Sequence, residues 1–101
     1  MKYIYPAVFS WSETDKAYIV QFADADNWFT DGVTIAEAME NAIDVLNLML
    51  LEAEESGDEI PQASKLETVK VDDDNSFAQY IFADTAAYKQ MIEFRKTARS
   101  A

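Results

Sequence analysis

The chain contains no cysteine and no histidine. Without cysteine there are no disulfides, thiolate metal sites or cysteine nucleophiles. Without histidine the commonest general base and the commonest transition-metal ligand are missing. Ser10, Ser12 and Ser76 therefore have no imidazole to activate them, which excludes a serine hydrolase of the usual kind. Glycine is nearly absent: Gly32 and Gly57 cannot build a glycine-rich phosphate loop. With only two prolines as well, the composition argues against linkers and disorder. Long apolar runs are also missing. The longest in the helical region, Leu48 to Leu51, cannot cross a bilayer, and the start, MKYIYPAVF, has one lysine and then a proline instead of a signal-peptide core. The expectation is a soluble cytoplasmic protein.

Positive charge is scarce too. Eight Lys and Arg stand against 19 Asp and Glu, for a net charge of -11. The imbalance is uneven: residues 1–94 carry -14, while the last seven, with Arg95, Lys96 and Arg99, carry +3. An acidic body repels nucleic acid and attracts a basic protein, although acidity also serves plain solubility. The three cations could begin a nucleic-acid arm, but at the end of a helix they equally complement its dipole, the preferred reading.

What is present suits one small domain. Half of the 101 residues are hydrophobic and 13% aromatic, enough for a core. Burial is marginal at this size, so self-association would help. Tyr3 to Ser10 reads as a strand with Tyr3, Tyr5, Ala7 and Phe9 on one face. Pro6 cannot donate to a ladder, which predicts an edge strand or a bulge. Ala17 to Phe22 makes a hairpin with it, and Trp28 to Thr30 is a short third strand. Asp31-Gly32 reads as a turn with a positive φ at Gly32. Thr34 then opens a helix to Glu55, with Glu37 completing a capping box and Gly57 as the stop. Ile35, Ala38, Met39, Ala42, Val45, Leu46 and Met49 form its apolar stripe. Leu66 to Val71 and Phe77 to Phe82 read as a second hairpin, and Thr85 to Arg99 as a terminal helix. The expected class is α+β: a three-to-five-stranded, mainly antiparallel sheet with one long helix on a face, ordered β-β-β-α-β-β-α. The expected domain spans residues 1–90, followed by a basic tail or helix end over 91–101.

Two acidic groups invite metal chemistry. Asp24 and Asp26 form an Asp-x-Asp beyond a strand, but Mg²⁺-dependent catalysis needs further carboxylates in fixed positions, and turn formation is the preferred reading. Asp72-Asp73-Asp74-Asn75 lacks the spacing of a calcium loop and reads as a hairpin turn. No metal, cofactor, catalytic or nucleic-acid residue is assigned. Trp11 is expected to pack on the hairpin. For Trp28, a core position and an exposed anchor are both open, the second because an aromatic beside Asp24, Asp26 and Asp31 suits arginine and lysine.

Several pieces in order resemble the HicB-like antitoxins of bacterial type II toxin–antitoxin pairs. These are Tyr3 to Phe9, Ala17 to Phe22, Phe22-Ala23-Asp24, Thr30-Asp31-Gly32 with Thr34, Glu37-Ala38 with Asn41-Ala42, and Ile60-Pro61 with Ser64. The resemblance covers residues 2–64 well and 65–90 loosely. It implies a degenerate RNase H-like sheet without nuclease activity, and a partner of the HicA kind, a small basic mRNA-cleaving toxin whose active site is masked. On that basis Asp24, Asp26 and Asp31 are expected to pair with basic toxin residues while Trp28 anchors the contact. The sequence departs from the family at Ala23, usually proline, and at Asn27-Trp28, usually Gly-Cys, so the loop between them is remodelled. Family members typically carry a C-terminal DNA-binding module, for which a chain ending at Ala101 leaves little room, so direct operator binding is not expected. A homodimer is, because Ile43, Leu50 and Phe94 widen the apolar surface. The alternative function is a standalone acidic interaction domain with no toxin; a metal-dependent nuclease ranks third.

Overall fold

The computed structural model describes the backbone of residues 1–100 and the side chains of residues 1–97; the Arg99 side chain and Ala101 lie outside the described residues. The chain runs β1 (Lys2–Ser12), β2 (Ala17–Phe22), β3 (Phe29–Gly32), α1 (Ile35–Ser56), a 3₁₀ turn (Leu66–Thr68), β4 (Ser76–Asp84) and α2 (Thr85–Ser100). All neighbouring strands are antiparallel in the order β3-β2-β1-β4. The α+β class expected from the sequence is the one observed.

Alternation along the strands builds the core on one face. Tyr5, Ala7 and Phe9 of β1, Val20 and Phe22 of β2, and Ile81 and Ala83 of β4 are all buried. They meet Ala38, Ala42, Leu46 and Leu50 of α1. The helix begins where the sequence places it: the Thr34 hydroxyl accepts the Glu37 N–H at 3.1 Å. It stops at Gly57, whose φ of 72° completes a left-handed cap with its N–H on the Ala53 carbonyl. Ile35 is the exception on the expected stripe and faces solvent. Asn47 is buried instead. It donates to the Ile43 carbonyl at 2.9 Å and accepts the Asp84 N–H at 3.0 Å, tying α1 to the end of β4.

Four expectations are corrected. The strand holding Pro6 is central, not an edge, and its pairing with β4 runs unbroken from Lys2↔Asp84 to Ser10↔Ser76. Pairing with β2 begins only at Ala7↔Phe22, and the Pro6 carbonyl accepts the Ala23 N–H at 3.1 Å. In an antiparallel ladder a residue's N–H and C=O point the same way. The donor that proline lacks therefore points past the end of β2, where no strand needs it. Gly32 lies in β3 and shows no positive φ. Its reason is steric: a Cβ there would sit 2.3 Å from the Ala38 backbone nitrogen, so only glycine lets the first turn of α1 lie against β3. Trp28 precedes β3 instead of opening it.

The second hairpin does not form. Over Leu66–Thr68 the Thr68 hydroxyl and N–H both bond the Lys65 carbonyl, at 2.7 and 3.0 Å. Such local bonds compete with a strand ladder. The Leu66 N–H goes to the Tyr80 hydroxyl at 2.8 Å, which lays the segment over the sheet. Asp73 then turns the chain into β4, its carboxylate accepting the Asn75 N–H at 2.8 Å and the Ser76 hydroxyl at 2.9 Å. The acidic run is a turn, as read, but one that launches a single strand. Trp11 packs edge-on against Tyr18, ring centroids 5.0 Å apart, which is the hairpin contact expected of it.

The terminal helix follows β4 directly, and the boundary drawn after residue 90 falls inside it. Tyr88 donates to Asp44 at 3.0 Å and Lys89 pairs with Glu55 at 3.0 Å, so α2 is held to α1 by polar contacts. The amino terminus is held as well. The Met1 ammonium donates to Thr85 Oγ1 at 3.0 Å, and Thr85 and Tyr3 both donate to Glu54 Oε2, at 2.9 and 2.6 Å. The Tyr3 bond, with help from Thr85 and the ammonium, outweighs burial and holds the Glu54 carboxyl below its ordinary value of 4.5. Burial, reinforced by Glu54, pushes the Tyr3 phenol up to about 12.

Two outcomes follow for stability. Gly32→Ala is expected to destabilise by about 1–3 kcal/mol, because the clash is with backbone that cannot swing aside; urea unfolding measures it. A carboxylate with a depressed folded pKa contributes stability above its unfolded value and loses it as pH falls through the folded one. Thermal midpoints recorded between roughly pH 5 and 3 should therefore fall more steeply for the native chain than for Glu54→Gln.

Candidate partner interface

The turn from Ala23 to Trp28 is filled by one side chain. The Gln21 amide lies within 3.0–3.3 Å of the carbonyls of Phe22, Ala25, Asp26 and Trp28 and shares its two hydrogens among them. Backbone bonds close the same turn: Trp28 N–H to Ala25 at 3.1 Å, and Phe22 N–H to Trp28 at 3.0 Å. The turn is thus a fixed platform.

Its acidic residues have separate tasks. The Asp24 carboxylate accepts the Ser64 N–H at 2.9 Å and also the Ser64 hydroxyl. It clasps the loop after α1 to the end of β2, an internal role not expected from the sequence. The Tyr5 hydroxyl holds the same loop through the Pro61 carbonyl. Asp26 stands exposed at the tip of the turn. Asp31 is exposed on β3, its position opposite Ile19, roughly 10 Å along the strand from Trp28 at ~3.3 Å per residue. The structure groups Asp24 with Asp26 and sets Asp31 apart. Among the described residues, no cluster of three or more potential ligands has the arrangement of a metal site.

Trp28 is buried, at 5% exposure, with its ring edge-on to Tyr5 at 5.3 Å and to Phe22 at 6.3 Å. The core reading holds, and the exposed anchor is corrected. The aromatic group that reaches solvent is the next residue, Phe29, at 58% exposure. Phe29 pairs with Gln21, whose neighbours Val20 and Phe22 point into the core, so Phe29 shares the outward side of Gln21. The sequence shows that two adjacent aromatics take opposite sides, and register decides which one is buried.

Phe29 belongs to the face of the sheet that α1 leaves uncovered. Register puts Phe29 beside Gln21 and Asp31 beside Ile19, with Val8 and Ser10 next in β1. Ile4 and Phe82 continue the apolar surface toward β4, both at least half exposed. The loop through Leu66 is tied to this face at Tyr80, whose strand neighbour Pro6 is fully buried.

Further carboxylates gather beside the turn. A cleft of about 290 Å³ between it and the end of α1 is lined by Asn27, Trp28, Glu52, Asp58 and Glu59. The last turn of α1 holds no basic residue, so the negative end of the helix dipole adds to these charges. The face and its end together combine an exposed aromatic group with an acidic rim.

The two neighbouring aromatics should separate cleanly on substitution. Trp28→Ala is expected to cost about 3–5 kcal/mol of folding stability, while Phe29→Ala stays within about 0.5 kcal/mol. Denaturant titration of the two variants decides it.

Residues 4–73 match the sequence profile of a family described as the HicB_like antitoxin of the bacterial toxin-antitoxin system. Among curated protein sequences none matches. A chain of a toxin–antitoxin complex from Streptococcus pneumoniae is 28% identical, with a TM-score of 0.77 over 87% of this chain and 73% of that one. A chain of the HicA3 and HicB3 toxin–antitoxin complex is 19% identical, with a TM-score of 0.64 over 81% of this chain and 99% of that one. The N-terminal domain of the Burkholderia pseudomallei antitoxin HicB is 17% identical, with a TM-score of 0.65 over 78% and 95%. At such identities the last two show a shared fold.

Proposed function

Because this chain belongs to the HicB-like antitoxin family of bacterial toxin–antitoxin systems, we propose that it binds and masks a small basic HicA-type ribonuclease toxin, in the cytoplasm and without catalysing a reaction itself. The observation that carries this reading is the family match over residues 4–73, which takes in β1 from its third residue, β2, β3 and all of α1. The net charge of -11 supports it, since such a surface draws in a cationic protein and repels the nucleic acid that a ribonuclease acts on.

In this reading the toxin docks on the open sheet face. Phe29 supplies the desolvated anchor, and the exposed carboxylates of Asp26 and Asp31 flank it with negative charge. Ion pairs join Lys16 to Glu13 in the turn between β1 and β2, and Lys89 of α2 to Glu55 of α1. Asp24 and Trp28 act from beneath, the first fastening the loop and the second the core. The division of labour is physical. Exposed charges steer encounter and set on-rate, whereas a buried aromatic slows departure.

Co-expression with the reading frame beside this gene, followed by surface-plasmon kinetics on the complex it forms, tests the assignment. Phe29→Ala is expected to raise the dissociation rate at least ~10-fold with little change in association. Reversing Asp26 and Asp31 to lysine should chiefly slow association, with a larger effect at low salt than at high. If both variants bind and protect cells as the native chain does, the interface lies elsewhere.

A further inference from the structure

We infer that the outer edge of β4 pairs with the β4 edge of a second copy, antiparallel about a two-fold axis through Tyr80, to form one continuous eight-stranded sheet.

The direction of each backbone group in β4 can be read from its ends. Thr85 N–H reaches the Met1 carbonyl at 3.0 Å, toward β1, while Asp84 N–H reaches Asn47 on α1 at 3.0 Å, away from it. Directions alternate along an antiparallel strand, so Phe77, Gln79, Ile81 and Ala83 address β1, and Ala78, Tyr80 and Phe82 point out of the sheet. Asp84 is occupied by Asn47. At the other end, Ser76 N–H is occupied by the Asp73 carbonyl at 3.3 Å. Among the described residues, the outward N–H groups of Ala78, Tyr80 and Phe82 show no hydrogen bond. Three open positions are thus bounded at both ends and centred on Tyr80. That spacing is self-complementary: Tyr80 faces Tyr80 of the copy, and Ala78 faces Phe82. Each such pair can exchange two N–H···O bonds.

Edges are normally blunted by charge, proline, bulges or shortness. The opposite edge, β3, is four residues long and carries Asp31. In contrast, β4 is nine residues long, its register with β1 has no bulge, and Ser76 to Ala83 contains no charge, proline or glycine. Side chains match the backbone pattern. Phe82 is 54% exposed and would lie over the small Ala78 of the copy. It also lines an apolar groove of about 270 Å³ with Ile43 and Met91 beside the same edge, which the copy would close.

Charge selects the occupant. Carboxylates stand at the two ends of the strand, Asp72 to Asp74 before it and Asp84 at its close, and the open positions between them carry no charge for a basic partner to pair with, whereas a chain of net charge -11 can meet its own copy along such a neutral stretch. The two-fold stands perpendicular to the sheet, so both open faces point the same way and remain free.

Analytical ultracentrifugation of the full chain, with no toxin present, is the test. A dimer is expected at micromolar concentration, and its affinity should rise with salt as the like charges are screened. A complex with a basic toxin responds in the opposite direction, so failure here is distinguishable from failure of the antitoxin reading. Ala78→Pro removes only an outward donor, and Phe82→Lys places charge at the seam; each should weaken the dimer at least ~10-fold while thermal unfolding stays cooperative. Amide exchange at Ala78, Tyr80 and Phe82 should slow with rising protein concentration. A native chain that stays monomeric at high salt, a dimer indifferent to both variants, or protection of these amides only after toxin is added would each overturn the inference.

Discussion

One helix covers one face of a four-stranded sheet, and the rest of the molecule follows from that unequal coverage. Side chains alternate along every strand, so each residue buried under α1 commits its neighbour to the other side. Tyr5, Ala7 and Phe9 go inward, and Ile4 and Val8 go outward. The core is complete with a single layer of helix, because Leu46 and Leu50 reach Phe9, Phe22 and Ile81 without further cover. The second face is left apolar and half open, and the loop that Tyr80 and Asp24 hold down crosses it. A protein that binds another protein has use for such a face; one that acts alone would have to cover it.

Polar contacts join the pieces that apolar packing leaves loose. Asn47 fastens α1 to β4, Glu54 gathers Tyr3, Thr85 and, through Thr85, the amino terminus, and Asp24 holds the long loop at Ser64. All three reach across the sequence by thirty residues or more, so they report the assembled fold and not local preference. They also absorb acidic groups that would otherwise look like interaction charge. Exposed carboxylates stand in the turn before β3, on β3 itself, at the end of α1 and, as Asp72, Asp73 and Asp74, in the turn that leads into β4. β4 stays neutral by comparison. The molecule thereby separates a charged region suited to an unlike partner from an uncharged edge suited to a like one.

Much of the fold was legible because its causes are local. The first hairpin needed only two alternating runs with a polar turn between them, and α1 announced itself by Thr34, Glu37 and Gly57. The order of motifs from Tyr3 to Ser64 carried the family resemblance for the same reason. Legibility failed where a remote partner decides the conformation. Leu66 to Val71 alternates like a strand, yet its bonds go to Lys65 and to the Tyr80 hydroxyl. Gly32 suggested a turn, although its need is the Ala38 backbone that folding brings against it. In the candidate site Asp24 and Trp28 were noticed for what they are chemically, but an internal Ser64 and the rings of Tyr5 and Phe22 claim them.

By itself the sequence determined the charge, the absent chemistries, the periodicities and the caps, since each depends on residue type and short spacing alone. Only the tertiary structure decided which of two adjacent aromatics meets solvent, which carboxylates stay free, and that a proline strand can sit at the centre of a sheet. Those outcomes rest on register and on contacts between distant segments. A one-residue shift in register reverses every inward and outward side chain, and no local preference specifies it.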